Sequence, residues 1–395
     1  MAQVYNPQTE RFAEIGLPAS YEEMKDALQV INASNEECIA DIQEFLGKFK
    51  IFNNKSIKPS NLYELNYFAN LFSEMQEYEQ IQFMGLLESF EKESPEIKEV
   101  INLALNMSKL DCYKVSATTD TDLGRFYIDN ELIPQLDNLE SLTDEQYDWI
   151  CTHLDEEHIG REMREQEKGV FTRIGYLVKN QEIAQLYDER PVIPQPADYV
   201  FCLELSKIFE REEVKEQHTV SLKLPASESE IEIALETIGA ENILDCCFEG
   251  YESVVIPQLA EIYGDTNDFN MMNQIAKDIT KLDDDSIVLY KSMLESVKCS
   301  DFQTAEAVYG EMEKFTLEKE HIEPSDYVDK VLKCIDIPLK EELDFYLSKD
   351  EYGRALMHHD GVEKTAYGML IPKNGITLSN QIQKHQTGVE ITMFM

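Results

Sequence analysis

The sequence predicts an α+β fold, helix-dominated, in two tandem, similar halves with small β-sheets, elongated and acidic. Repetition is the first sign. LPASYEEMKDAL at 17–28 returns as LPASESEIEIAL at 224–235. An offset of 207 aligns Leu17 with Leu224, Ser20 with Ser227, Glu23 with Glu230, Leu28 with Leu235 and Ile31 with Ile238. It returns at Asn66/Asn273, Ala69/Ala276 and Leu87-Glu88-Ser89 against Leu294-Glu295-Ser296. A register kept over about seventy residues, at a period far longer than a solenoid repeat, indicates duplicated domains. The second sign is the hydrophobic period, which switches between helical and alternating stretches in each half. The third is charge: 77 acidic against 35 basic residues give a net −42. The expected domains are 1–187, a Pro-containing junction at 188–217, and a more divergent second unit at 218–395.

The first half opens with a short extended piece. Ser20 with Glu23 then makes a capping box, and Met24, Ala27, Leu28 and Ile31 fall on one helical face. Residues 37–45 read as a strand, followed by a Lys/Asn loop at 48–60. Helices are expected at 61–75 (Leu62, Leu65, Phe68, Ala69 and Phe72 inward), at 78–90 and at 95–108. Ser94-Pro95 serve as cap and first residue of the last of these. A strand at 110–115 leads to a helix at 121–133. One long acidic helix runs from the Thr143/Gln146 capping box to about Gln166, and 170–187 alternates like a hairpin.

The junction holds Pro191, Pro194 and Pro196, yet VFCLELSKIF at 200–209 is apolar and packs. The second half replays the order. A capping box at Ser227/Glu230 is followed by a strand at 243–252 and helices at 267–282, 285–297 and 301–318. Ser325–Cys334, Leu339–Leu347 and a β-rich piece at 367–378 close the chain.

With 43% apolar residues, 18 Phe and 19 Tyr, this is no disordered acidic tail. Residues 1–200 carry 38 acidic and 17 basic groups, and the rest 39 and 18, so each half bears −21. Self-repulsion of that size destabilises the compact state and points to solubility or steering. B-DNA carries one charge per ~1.7 Å, so 42 charges correspond to roughly 70 Å of duplex. Direct nucleic-acid binding is not expected at pI ≈ 4.4. The eight cysteines show no CxxC spacing, no apolar run approaches a membrane span, and the N-terminus lacks a signal pattern. The expectation is a cytoplasmic chain, in a bacterial host cell, with reduced thiols.

No catalytic signature appears, whether glycine-rich phosphate loop, GxSxG or HExxH. Cys246 and Cys247 point to opposite faces of a strand, and His153 and His158 do not face each other on a helix. His358-His359-Asp360 reads as a solvated turn, and Asp283-Asp284-Asp285 lacks the EF-hand glycine. No cofactor, metal or catalytic residue is therefore expected, and an enzyme using dispersed carboxylates with Mg²⁺ is the weakest reading. What remains is distributed acid. Residues 131–160 hold nine acidic groups and 61–90 hold five, with no Lys or Arg in either, while basic groups gather at 48–58 and 161–179. The expected partner-binding face comprises Glu74, Glu77, Glu79, Glu140, Asp144, Glu145, Asp148, Asp155, Glu156 and Glu157, with Asp283, Asp284 and Asp285 in the second half.

The order LPxS–EE–AL, SNLYELNYFANLFSEM at 60–75, DLGRFYID at 122–129, and Ile159-Gly160-Arg161 before a Gly–Thr–Gly hairpin resembles the ArdA family of antirestriction proteins. The match covers roughly residues 4–187, with Phe171 to Asn180 among its specific parts. In the second half it rests on the LPAS block and Glu351-Tyr352-Gly353-Arg354 with Thr365 and Gly368. Asn270–Asn273 replaces the ELN block there, and no DLGR counterpart stands near Asp326. The resemblance implies a small acidic α+β protein of three subdomains, normally a homodimer, that mimics bent B-DNA and fills the DNA-binding groove of type I restriction–modification enzymes. Here two copies are fused, so a pseudo-dimeric monomer or a homodimer is expected. The alternatives are a mimic aimed at a CRISPR effector or other defence complex, and an acidic adaptor for a basic protein.

Overall fold

The computed structural model describes residues 1–45, 50, 57–90, 92, 94–110, 112–133, 143–179, 181–208, 218–334 and 347–387. Helices dominate, joined by small antiparallel sheets, so the fold is α+β. The chain divides into two compact units, residues 1–5, 14–19 and 35–193, and residues 6–13, 20–34 and 194–395.

In the first unit, strands β1 (Ala2–Asn6) and β3 (Ile39–Ile42) pair antiparallel, while β2 (Arg11–Ile15) has its first three residues in the second unit. Helices α2 (Leu62–Glu74), α3 (Glu77–Glu88) and α4 (Ile97–Asn106) follow, and Leu62, Leu65 and Phe68 are buried as predicted. Helix α4 does not start at Pro95. Glu96 is its cap, its N–H bound by the Glu99 carboxylate at 3.0 Å, while the Pro95 carbonyl accepts from Lys58. Strand β4 (Cys112–Val115) pairs with β6 (Gly175–Lys179), which also pairs with β5 (Val170–Thr172). Helix α5 (Asp120–Asp129) packs closely on α7 (Glu156–Glu167).

Two expectations change here. The long acidic helix is two helices, α6 (Asp144–Thr152) and α7, because Asp155 turns extended and caps the His158 N–H at 3.0 Å. The Thr143/Gln146 box is present. Residues 181–187 do not continue the hairpin. Side chains replace a strand partner: Asn102 accepts from the N–H groups of Leu186 and Tyr187 at 2.6 and 2.9 Å, and Asn106 holds Ala184.

The second unit contains helix α1 (Tyr21–Ile31), whose capping box is formed and whose Met24, Ala27, Leu28 and Ile31 are buried. The apolar stretch in the junction is strand β7 (Phe201–Lys207), central between β8 (Thr219–Leu224) and β9 (Cys246–Ser253). Helix α8 (Glu228–Ile238) follows β8; α9 (Pro257–Ala260), α10 (Phe269–Ile279), α11 (Asp284–Ser296) and α12 (Phe302–Glu311) follow β9. The expected helix at 301–318 stops at Glu311. Residues 315–318 form strand β10 (Phe315–Glu318) because pairing with β12 (Gly368–Pro372) overrides local preference. Helix α13 (Pro324–Cys334), α14 (Lys349–His359), β11 (Glu363–Thr365) and α15 (Leu378–Thr387) complete the unit. Most of the expected Leu339–Leu347 element lies outside the described residues. The core gathers Phe201, Leu203, Leu224, Tyr290, Leu294 and Phe302.

The same bonds recur in both units. The amide of Asn66 accepts from the Ala19 N–H at 2.7 Å and donates to its carbonyl at 3.0 Å; Asn273 does this to Ala226 at 2.8 and 3.1 Å. Leu17-Pro18 and Leu224-Pro225 are both cis. Glu88 accepts from the Arg173 N–H, and Glu295 from that of Ala366. Thr172 donates to the Gly175 carbonyl and Thr365 to that of Gly368, glycines with φ of 120° and 148°.

Candidate functional site: acidic surfaces

The sheet β8-β7-β9 alternates inward and outward residues over Phe201–Leu205 and Thr219–Leu224. Phe201, Leu203, Leu205, Leu222 and Leu224 face the core, which leaves Cys202, Glu204, Ser221, Lys223 and Glu252 on the outer face. Glu204 lies opposite Gly250 and Cys202 opposite Glu252, so Glu204 and Glu252 are diagonal neighbours, roughly 7–8 Å apart. The register slips between Glu204 and Leu205, which makes Glu249 the extra residue of a bulge. A bulge re-aims a side chain, and Glu249 turns to accept from Ser206 at 2.5 Å and Cys247 at 3.2 Å.

Neutral donors position these carboxylates. Glu204 accepts from Ser221 at 3.1 Å and Glu252 from the Tyr199 hydroxyl at 2.5 Å. A hydroxyl bond fixes the oxygens without cancelling their charge. The Ser206 bond holds Glu249 below the usual carboxylate range, and Glu252 pushes the Tyr199 phenol above its own. Lys223 on this face pairs with Asp198 at 2.7 Å and sits over the Tyr199 ring.

Helix α8 adds a second acidic surface. Its cap, Ser227 with Glu230, and its buried Ala234 and Ile238 fix which side faces out. Glu228, Glu232 and Glu236 are exposed at i, i+4 and i+8, about 6 Å apart along the axis. Like charges at this spacing each cost roughly 0.2–0.5 kcal/mol, and no ion pair holds them among the described residues.

The residues expected from sequence divide into several kinds. Glu74, Glu77 and Glu145 are exposed on α2, α3 and α6, beside exposed Tyr78 and Trp149. Glu79 binds the Gln76 N–H, and Asp155 and Asp283 cap helices. Glu156 pairs with Arg125 at 2.9 Å, Glu157 with Arg161, Asp284 with Lys25 at 2.8 Å and Asp285 with Lys319 at 2.6 Å. Glu140 and the side chains of Asp144 and Asp148 lie outside the described residues. Sequence reading missed Glu204, Glu249 and Glu252, whose signal was alternation inside a strand, and the Glu228/Glu232/Glu236 row, whose signal was the period of four.

Among the described residues no group of three His, Cys, Asp or Glu side chains is placed to share a metal. His153 bonds the Trp149 carbonyl, and His358 and His359 end helix α14 rather than lying in a turn. Burial pushes the Cys299 thiol up to about 11, while Cys246 is buried beside half-buried Cys247. No helix of the described residues is long and apolar enough to cross a membrane. A scan against protein-family models and a search of curated proteins gave no match to this chain.

Proposed function

We propose that this chain is a non-enzymatic DNA mimic that inhibits a host DNA-targeting defence enzyme, foremost a type I restriction–modification enzyme, by occupying its basic DNA-binding groove. The observation that carries this reading is the row Glu228, Glu232 and Glu236. Its repulsion costs stability, and of the three only Glu228, in the first turn of α8, gains from the helix N-terminus. For Glu232 and Glu236 a basic groove would return that cost as Coulomb attraction. The outer-face carboxylates of β7 and β9 support it, because bonded oxygens lose little freedom on binding. The likeness of LPxS, DLGR and IGR segments to the ArdA family supports the choice of target. The recurrence of bonds at the 207 offset supports reading the chain as a duplicated unit standing in for a dimer.

The test is competition. Purified target, an oligonucleotide duplex and this protein are mixed at two salt concentrations. Competitive displacement of DNA that weakens steeply with salt is the expected result. Inhibition with DNA still bound, or affinity indifferent to salt, would overturn it. A CRISPR effector or another defence complex replaces the target if only that enzyme is inhibited.

An acidic adaptor is the second reading, favoured by Ile208 and Leu244, 52% and 61% exposed. They lie close together, since the Ile208 N–H donates to the Asp245 carbonyl at 2.9 Å. The same competition assay separates the two, because an adaptor leaves DNA binding intact.

A further inference from the structure

Strand β10 is an edge strand in the order β10-β12-β11. The Lys373 N–H donates to the Lys314 carbonyl at 2.9 Å and sets the ladder. Alternation then directs Thr316 and Glu318 toward Ile371 and Met369 of β12, and the main chain of Phe315 and Leu317 away from it. The Phe315 N–H is used by the Met312 carbonyl, and Arg11 takes the Lys319 carbonyl at 2.8 Å. The Phe315 carbonyl and both polar groups of Leu317 thus face outward, and no described strand pairs with that edge.

A groove of about 570 Å³ runs along this edge between β10, the start of α11 and Asn32 at the end of α1. Leu289, Phe315 and Leu317 supply apolar lining. Four carboxylates line it, Asp283, Asp285, Glu318 and Glu320, against Lys319. Lys319 is committed to Asp285, and Lys330 of α13 reaches Glu318 at 2.9 Å, which still leaves acid in excess.

We propose that this groove takes an extended, Lys- or Arg-containing segment of a partner protein as an added strand on β10. Main-chain bonds to Leu317 would give the affinity. Alternate side chains would meet the apolar floor and the acidic walls. The inference is independent of the DNA-mimic reading, which concerns other surfaces of the unit.

The test uses the full chain and a fluorescein-labelled peptide of alternating Lys and Val. Its partner carries N-methyl groups on alternate backbone nitrogens, so charge is kept and the strand edge is lost. The unmodified peptide should bind, slow amide exchange at 315–318, and lose about tenfold in affinity on N-methylation. Glu320→Lys should weaken it similarly, and Leu317→Pro should abolish it. If Leu317→Pro does not fold, the peptide comparison decides. Equal binding of the N-methylated peptide would show general polyanion attraction, and protection elsewhere would show another site. Protection at 315–318 that grows with protein concentration alone would assign the edge to a second copy. Any of these overturns the proposal.

Discussion

Lys291 reaches Asp26 at 2.6 Å inside the second unit, with side chains only 3% and 20% exposed. Lys291 also donates to Gln29 at 2.9 Å, and the Tyr367 hydroxyl donates to Asp26 at 2.9 Å. Burial lowers the pKa of this lysine, so its charge is held at a desolvation cost. By the 207 offset, Lys291 corresponds to Met84 and Asp26 to Ile233. At each of these two aligned positions one segment carries a charged residue and the other an apolar one.

That correspondence predicts a double-mutant result. Lys291→Met alone strands Asp26 and should cost roughly 3–5 kcal/mol in urea unfolding. Asp26→Ile with Lys291→Met should recover most of the loss. A double variant no more stable than the single would mean that Gln29 and Tyr367, rather than the pair, hold α1.

The glutamate row predicts opposite effects on stability and inhibition. Glu232→Lys replaces two repulsions by two attractions, to Glu228 and Glu236, and should stabilise the fold by about 0.5–1 kcal/mol. The melting temperature should rise while inhibition weakens. If both rise together, the row is not the contact surface.

Helix crossings predict which glycines tolerate a methyl group. A Cβ at Gly160 would stand 1.8 Å from the Asp120 carbonyl oxygen, and one at Gly353 2.0 Å from that of Pro324. Gly160→Ala or Gly353→Ala should therefore cost about 3 kcal/mol or more. Gly310, late in α12, meets nothing within 4 Å, and Gly310→Ala should stabilise by roughly 0.5–1 kcal/mol. Thermal unfolding of the three variants checks the contrast.

Glu249 predicts a pH signature. The Ser206 hydroxyl holds its folded pKa below the ordinary 4.5, so its contribution is present above 4.5 and lost as pH falls through the folded value. Carboxylate NMR should place its midpoint below 4.5, and Ser206→Ala should move it up toward that value. An unmoved midpoint would mean that the Cys247 contact fixes it instead.

Local physics was legible in the sequence. Both Ser/Glu capping boxes and the Met24–Ile31 face need only residues within a turn or two of each other. What escaped depended on distant partners. Phe315–Glu318 reads as the end of a helix until β12 is beside it, and residues 181–187 read as a strand until Asn102 and Asn106 claim their backbone. The expected acidic face also contains residues with local structural work to do. Counting acids finds where they are dense, but Asp155 in a Lys-free stretch and Asp283 in an acidic run both cap helices. Charge that serves no cap and no ion pair shows only when side-chain direction is known.

The asparagine clamps bound where this chain tolerates its own acidity. Aspartate at 66 or 273 would keep the oxygen that accepts from Ala19 or Ala226 and lose the amide protons that answer it. It would also place an anion at positions 1% and 8% exposed. Deamidation makes that change, exchanging one nitrogen for an oxygen. On the exposed surface of a chain with 77 acids it passes unnoticed, whereas at these two positions it breaks a neutral lock and buries a charge. Deamidation at either clamp would therefore cost the fold what the same change at an exposed asparagine would not.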